Sequence, residues 1–264
     1  MNTATTPTSR SSLRWAVSDV MTMIGRRIRH VLRTPDDLIV SLILPITMML
    51  LFVFVLGGAI DRSGGYVDYA VPGVLILSAG FSAAQTGTGL TADLVTGVID
   101  RFRSLPIVGS AVLTGHVITS LLRNIVSTTL VILVALLIGF RPQADLLAWV
   151  GVFGVVALYV LMISWLSMIF GVVSKTVEGA GQFSFVILFL PYLSSAFVPT
   201  ETMPAALRVI ADHQPATPVI ETVRALLSGT PVGSSAAWAV GWCVTLGTLA
   251  FVISSVLFVR RTAR

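Results

Sequence analysis

The sequence predicts an all-α, polytopic membrane protein with six transmembrane helices. Three observations carry that fold class. Of the 264 residues, 55% are hydrophobic and only 11% charged, with a mean hydropathy of +0.92, whereas a soluble domain carries about 25% charged residues. Six long apolar runs stand out, at 38–58, 69–92, 110–140, 146–174, 179–200 and 236–259, and only the third holds a charge, Arg123. Each run is apolar on all faces rather than alternating, which favours helices over strands, and each is long enough to cross ~30 Å of hydrocarbon.

Residues 1–10 form a Thr/Ser/Pro-rich stretch that reads as a disordered cytoplasmic tail. No apolar segment with a small-residue cleavage site stands there, so no signal peptide is expected. Residues 11–34 read as an amphipathic helix on the membrane surface. Leu13, Val17, Val20, Ile24, Ile28 and Val31 recur at helical spacing, while Arg14, Arg26, Arg29 and Arg33 lie mostly elsewhere on the wheel. This helix is either an anchor that sets topology or an elbow that touches a partner subunit. "TPDD" then starts the first span: Thr34 can cap it, Pro35 suits its first position, and Asp36 and Asp37 favour its positive end. The six-span domain occupies residues 35–264.

Basic residues set the expected orientation. With the N-terminus inside, the cytoplasmic side holds twelve of them and the outer side only Arg62, Arg141, Arg208 and Arg224. Both termini are then cytoplasmic. The charged stretch "VIDRFRSLPI" at 98–107 falls on the cytoplasmic side between spans two and three.

Polar residues inside the spans have two readings each. Span two contains "AGFSAAQTGTGLTA", whose small residues permit close helix packing. Gln85, with Ser82 and Thr86, is either interhelical glue or the lining of a translocation path. Arg123 lies 16 residues before Gly139, or ~24 Å along a helix, so it either snorkels to the inner headgroups or contacts substrate. His116, nearer the cytoplasm, reads as structural. Pro45, Pro72 and Pro191 fall within three spans, where proline kinks helices.

Residues 201–235 read as two short helices dipping into the outer face. Thr202 and Thr217 are candidate caps, Pro204 and Pro218 lie in first turns, and Gly229 stops the second helix. Its apolar stripe of Ile220, Val223, Leu226 and Leu227 is the candidate outer gate.

Several chemistries are missing. The sole lysine, Lys175, has Ile169 and Ser174 where a phosphate-binding loop needs glycines. All twelve acids lie outside the apolar runs, where an ion-driven carrier usually keeps a carboxylate. The single cysteine, Cys243, permits no disulfide within the chain. No metal site and no catalytic residue is expected.

The layout resembles the permease subunits of ABC type-2 exporters, and within them the daunorubicin/doxorubicin-resistance type. The resemblance rests on "GVIDRFRSLPIVGSAVLTGHV" (97–117), "FLPYLSSAFVPTETMP" (189–204) and "ADHQPATPVIETVRALLSGTP" (211–231), in that order and spacing. The Glu-Arg-Gly-Thr sequence of many relatives is absent from the charged turn. The resemblance implies that Asp100, Arg101, Phe102, Arg103, Leu105 and Pro106 belong to a coupling helix docked on a separate ATP-binding cassette ATPase. A plainer reading leaves Arg101 and Arg103 only to fix topology. The resemblance also implies a second permease copy or homologue, contact with membrane lipids, no nucleic acid, and ATP and Mg bound on the partner rather than on this chain. The cargo it implies is an amphiphilic drug-like or lipid-like molecule. The alternatives are an ATP-independent carrier or channel, a permease for a cell-envelope glycan or lipid, and a scaffold that transports nothing.

Overall fold

The computed structural model describes residues 35–57, 65–97 and 109–262. The expected tail (1–10), the expected surface helix (11–34) and the stretch 98–108, with Asp100, Arg101, Phe102, Arg103, Leu105 and Pro106, lie outside the described residues.

Every regular element among the described residues is helical. Helix α1 (Pro35–Leu50) starts at its proline, as expected, and continues as a π-helix over Leu51–Leu56. Then come α2 (Tyr66–Val95), α3 (Gly109–Leu137), α4 (Leu146–Val173), α5 (Val177–Phe189), α6 (Ala205–Asp212), α7 (Ala216–Ser228) and α8 (Ser235–Thr262). Among the described residues, four helices are long and apolar enough to cross a membrane: α2, α3 counted from Val112, α4 and α8. Two shorter apolar stretches, Ile43–Val55 and Val177–Leu193, accompany them. The chain is a multi-pass membrane protein.

The fifth apolar run departs from expectation. It was expected to be helical through residue 200, but α5 has only 13 residues, about 20 Å at 1.5 Å each. Pro191 ends the helix instead of kinking it: the chain turns through a 3-10 segment, Pro191–Leu193, and runs on without regular structure to Pro199. Pro45 and Pro72 do lie inside their helices.

Two ends of the bundle are distinguished by the chain: proximal, where α2 leads into residues 98–108, and distal, where α6 and α7 lie. Helix α2 is the central element, with 78% of its most apolar window buried, against 22% for peripheral α8. Its small residues allow this. In hydrocarbon, burying an apolar side chain against protein gains little over lipid, so helices associate through close approach and hydrogen bonds. A Cβ on Gly87 would stand 2.5 Å from Ser167 Oγ and 2.6 Å from Ser167 O, and one on Gly171 would stand 2.6 Å from Gly87 O. Gly87 N–H donates to Ser167 Oγ at 3.1 Å, and Thr91 Oγ1 donates to Gly171 O at 2.9 Å. Parallel helices α2 and α4 are joined at these four residues. Arg261 of α8 donates to the Ser174 carbonyl at 2.7 Å and to that of Val172, satisfying the last carbonyls of α4.

The caps of α7 also differ from expectation. The helix begins at Ala216, with Pro215 at its N-cap, and Thr217 is already helical. Its hydroxyl donates instead to the Ala211 carbonyl, tying α7 to α6. Pro204, not Thr202, occupies the N-cap of α6. Gly229 stops α7 as expected, with φ at +67°, where a side chain is strained.

Candidate functional site

Antiparallel α2 and α3 face each other along a seam of polar rungs. At the proximal end His116 Nε2 lies 3.3 Å from Asp93 Oδ2. A carboxylate only accepts, so the imidazole nitrogen carries the hydrogen. Gly89 leaves room for the ring, which comes within 3.7 Å of where a Cβ would stand. Deeper in, Arg123 Nη1 donates to Gln85 Oε1. One turn on, the Ser82 and Ser120 hydroxyls lie 3.3 Å apart, and Ser120 reaches Ser164 of α4 at 3.0 Å. Further along α3, Asn124 Nδ2 and Ser127 Oγ are buried with no hydrogen-bond partner among the described residues. Interhelical polar pairs of this kind contribute ~0.6–2 kcal/mol each.

Three of the four path candidates of the sequence, Ser82, Gln85 and Arg123, lie on this seam, and Thr86 bonds within its own helix. Gln85 and Arg123, read separately in the sequence, are partners. Ser82 is buried and engaged with Ser120, and Thr86 is buried with its hydroxyl on the Ser82 carbonyl at 3.0 Å. His116 pairs with Asp93, a residue the sequence reading did not single out. A usable signal existed: in an antiparallel hairpin, residues about equidistant from the turn face each other, and 93 with 116 and 85 with 123 satisfy that around 98–108, whereas 82 with 120 does not.

The distal end carries a collar of aromatic side chains around Arg224. Its guanidinium carbon sits 3.9 Å from the centroid of the Tyr69 ring, and Nη2 donates to the carbonyls of Ser195 at 2.7 Å and Tyr69 at 3.3 Å. Tyr69 OH also donates to Ser195 O at 3.0 Å, and Tyr66 OH to Phe197 O at 2.9 Å. Phe52 stacks on Phe197 at 3.8 Å. Burial lowers the pKa of Arg224, an effect opposed by Tyr69 and Glu221. The sequence had counted Arg224 merely among outer charges.

The gate candidates are core residues of this chain. Ile220 and Val223 are fully buried and Leu227 is 2% exposed, while half-buried Leu226 packs over Gly151. Gln143 N–H donates to Leu227 O at 2.8 Å, fixing the end of α7 to the α3–α4 connection. An apolar cleft of about 280 Å³ opens sideways between α4 and α8, lined by residues including Leu161, Trp165, Cys243 and Phe251. Among the described residues no three His, Cys, Asp or Glu side chains converge as a metal site would require. The arrangement holds helices in register and joins α7 to α2, two mechanical tasks.

Residues 18–228 match the ABC-2 type transporter family. The chain belongs to that family. It is similar to the daunorubicin resistance ABC transporter permease protein DrrB1 of Streptomyces coeruleorubidus, 32% identical over 239 residues that span 89% of this chain and 83% of the relative. It is also similar to the probable doxorubicin resistance ABC transporter permease protein DrrC of Mycobacterium tuberculosis, 24% identical over 253 residues that span 90% of this chain and 88% of the relative. As an ABC-2 permease, this chain is the membrane-embedded subunit of an ABC exporter.

Proposed function

We propose that this permease moves an amphiphilic, drug-like or lipid-like cargo out of a bacterial cell, driven by a separate ATPase that binds ATP and Mg. The relatives named for daunorubicin and doxorubicin resistance support a drug-like cargo. Six helices cross the membrane, α1 and α5 joining the four longer ones, with both termini cytoplasmic; the twelve-to-four asymmetry of basic residues supports that orientation. Residues 11–34 lie on the inner surface as an amphipathic helix, and a second permease completes the pathway.

The observation that carries the reading is the α2–α3 hairpin. Its polar rungs join the two helices that enter and leave residues 98–108, where Asp100, Arg101, Phe102, Arg103, Leu105 and Pro106 form the coupling helix on the ATPase. Asp93, the carboxylate on the seam, sits two residues from the end of α2 rather than at mid-depth, which favours an ATP-driven machine over an ion-driven carrier. Gln85 and Arg123 border the path, and α7 acts as the outer gate by moving as a body, since Ile220, Val223 and Leu227 are packed into the core.

The test is co-expression with the partner ATPase, reconstitution in vesicles, and measurement of the movement of a fluorescent amphiphile. Transport that needs both proteins and ATP is the expected result. Transport by the permease alone, without nucleotide, overturns the proposal.

A further inference from the structure

Asp93 stands where a helix least favours it. It lies in the last turn of α2, where the helix dipole disfavours an anion, and its side chain is only 17% exposed, against 5% for His116. Burying a carboxylate and an imidazole costs free energy that a Leu–Leu pair at the same positions would not. What the pair does supply is a fixed relationship between two helices: α2 two residues before it ends, and α3 seven residues after it begins.

The surroundings are shaped to hold that relationship. Gly89 on α2, one turn before Asp93, faces the imidazole, which lies in ordinary contact distance of its position. The apolar residues around the pair, Leu90, Leu113, Val117, Met168 and Val172, are all buried and form a separate small core at the proximal end, together with Phe258 of α8. Two turns deeper, the Gln85–Arg123 rung repeats the connection on the same pair of helices. A polar contact in apolar surroundings is directional and has few substitutes, so it opposes sliding and rotation more than apolar contacts do.

We propose that Asp93 and His116 are positioning residues that lock the proximal ends of α2 and α3 into one lever, so that displacement of either end moves both helices together. The inference rests on the ATP-driven reading and deepens it. Without the lock, a push arriving between the two helices is dissipated as their ends splay. With it, the displacement travels up α2 to the Gly87–Ser167 and Thr91–Gly171 joint with α4.

The experiment uses the full permease reconstituted with its ATPase. Variants are His116→Ala, Asp93→Asn and the exchange Asp93→His with His116→Asp. Three quantities are read: ATPase retained on the permease, ATP hydrolysed, and cargo moved per ATP. Each single variant is expected to keep the ATPase and hydrolyse ATP, while cargo moved per ATP falls roughly 3- to 30-fold, the range that coupling residues give. The exchange is expected to recover much of that loss. In a Cys243→Ser background, spin labels at Thr96 and Thr114 should report a narrow distance distribution that broadens in His116→Ala. Unchanged cargo per ATP in both single variants overturns the inference. So does a proportional fall in folded protein, hydrolysis and transport that the exchange does not rescue, since that marks a purely structural pair. Nucleotide-independent transport by the unmodified chain fails differently: it overturns the ATP-driven reading itself.

Discussion

The Arg224 guanidinium lies 3.9 Å from the Tyr69 ring centroid and donates to the Ser195 carbonyl at 2.7 Å, so one side chain of α7 holds both the start of α2 and the irregular segment after α5. Arg224→Ala removes a cation–π contact and two carbonyl contacts, a loss of about 2–4 kcal/mol. The melting temperature of the detergent-solubilised protein should fall accordingly. Arg224→Lys keeps the charge but not the planar fork, and should fall between the two. An unchanged melting curve in Arg224→Ala would show that the collar does not stabilise the fold.

Gly87 and Gly80 differ in what a methyl group would meet. At Gly87 a Cβ would stand 2.5 Å from Ser167 Oγ, whereas at Gly80 the nearest atom, Leu188 Cδ1, is 3.5 Å away. Gly87→Ala should therefore force α2 from α4 at a cost of about 1–3 kcal/mol. Gly80→Ala should be nearly silent. Comparing folded yield and thermal stability of the two variants checks the ranking, and equal effects would contradict it.

Aspartate at the gate candidates should act by burial. Leu227 is 2% exposed, so Leu227→Asp places an unpaired charge in the core, and little folded protein is expected. Leu226 is half-buried against Gly151, and Leu226→Asp should yield folded protein with impaired transport and normal ATPase binding. Normal transport in Leu226→Asp would remove α7 from the gate.

Phe102 and its flanking arginines separate coupling from topology. Truncating a central aromatic anchor costs ~2 kcal/mol or more of binding, and rim charges cost less and depend on salt. Phe102→Ala should lose the ATPase in a pull-down or uncouple its cycle from efflux, with membrane insertion intact. Arg101→Ala and Arg103→Ala should be milder, their effects growing with salt. If the arginines merely orient the chain, the ranking reverses. Retained partner and normal efflux in Phe102→Ala would release this residue from the interface.

The sequence was most informative where a single physical demand dominates. Runs with one charge or none located α2, α3, α4 and α8 because hydrocarbon tolerates few alternatives. The small residues of α2 anticipated its close approach to α4, and Gly229 marked the end of α7. The partnerships were less legible. Arg123 offered a depth but not a partner, since its long side chain reaches in several directions, and only the facing of α2 and α3 selects Gln85. Arg224 looked like a loop charge because its partners are the backbone carbonyls of Tyr69 and Ser195, which leave no mark in side-chain identity. Pro191 was ambiguous for a similar reason. A proline in an apolar run can kink or terminate, and the buried seats available to Ser194, Ser195, Ala196 and Phe197 decide for termination.

That termination makes bilayer thickness matter. On the six-span reading, α5 carries the chain about two-thirds of the way across ~30 Å of hydrocarbon. The rest is irregular backbone, tolerated at such depth only where protein shields it from lipid. In a thin membrane this stretch reaches the headgroup water, and the carbonyls of Leu193, Ser195 and Phe197 can be hydrated if their partners leave. In a thick one, long acyl tails surround it, and losing Gln214, Tyr69, Tyr66 or Arg224 exposes bare carbonyls to oil. On that reading, bilayer thickness decides whether water or lipid tails meet these carbonyls when the collar lets go of them.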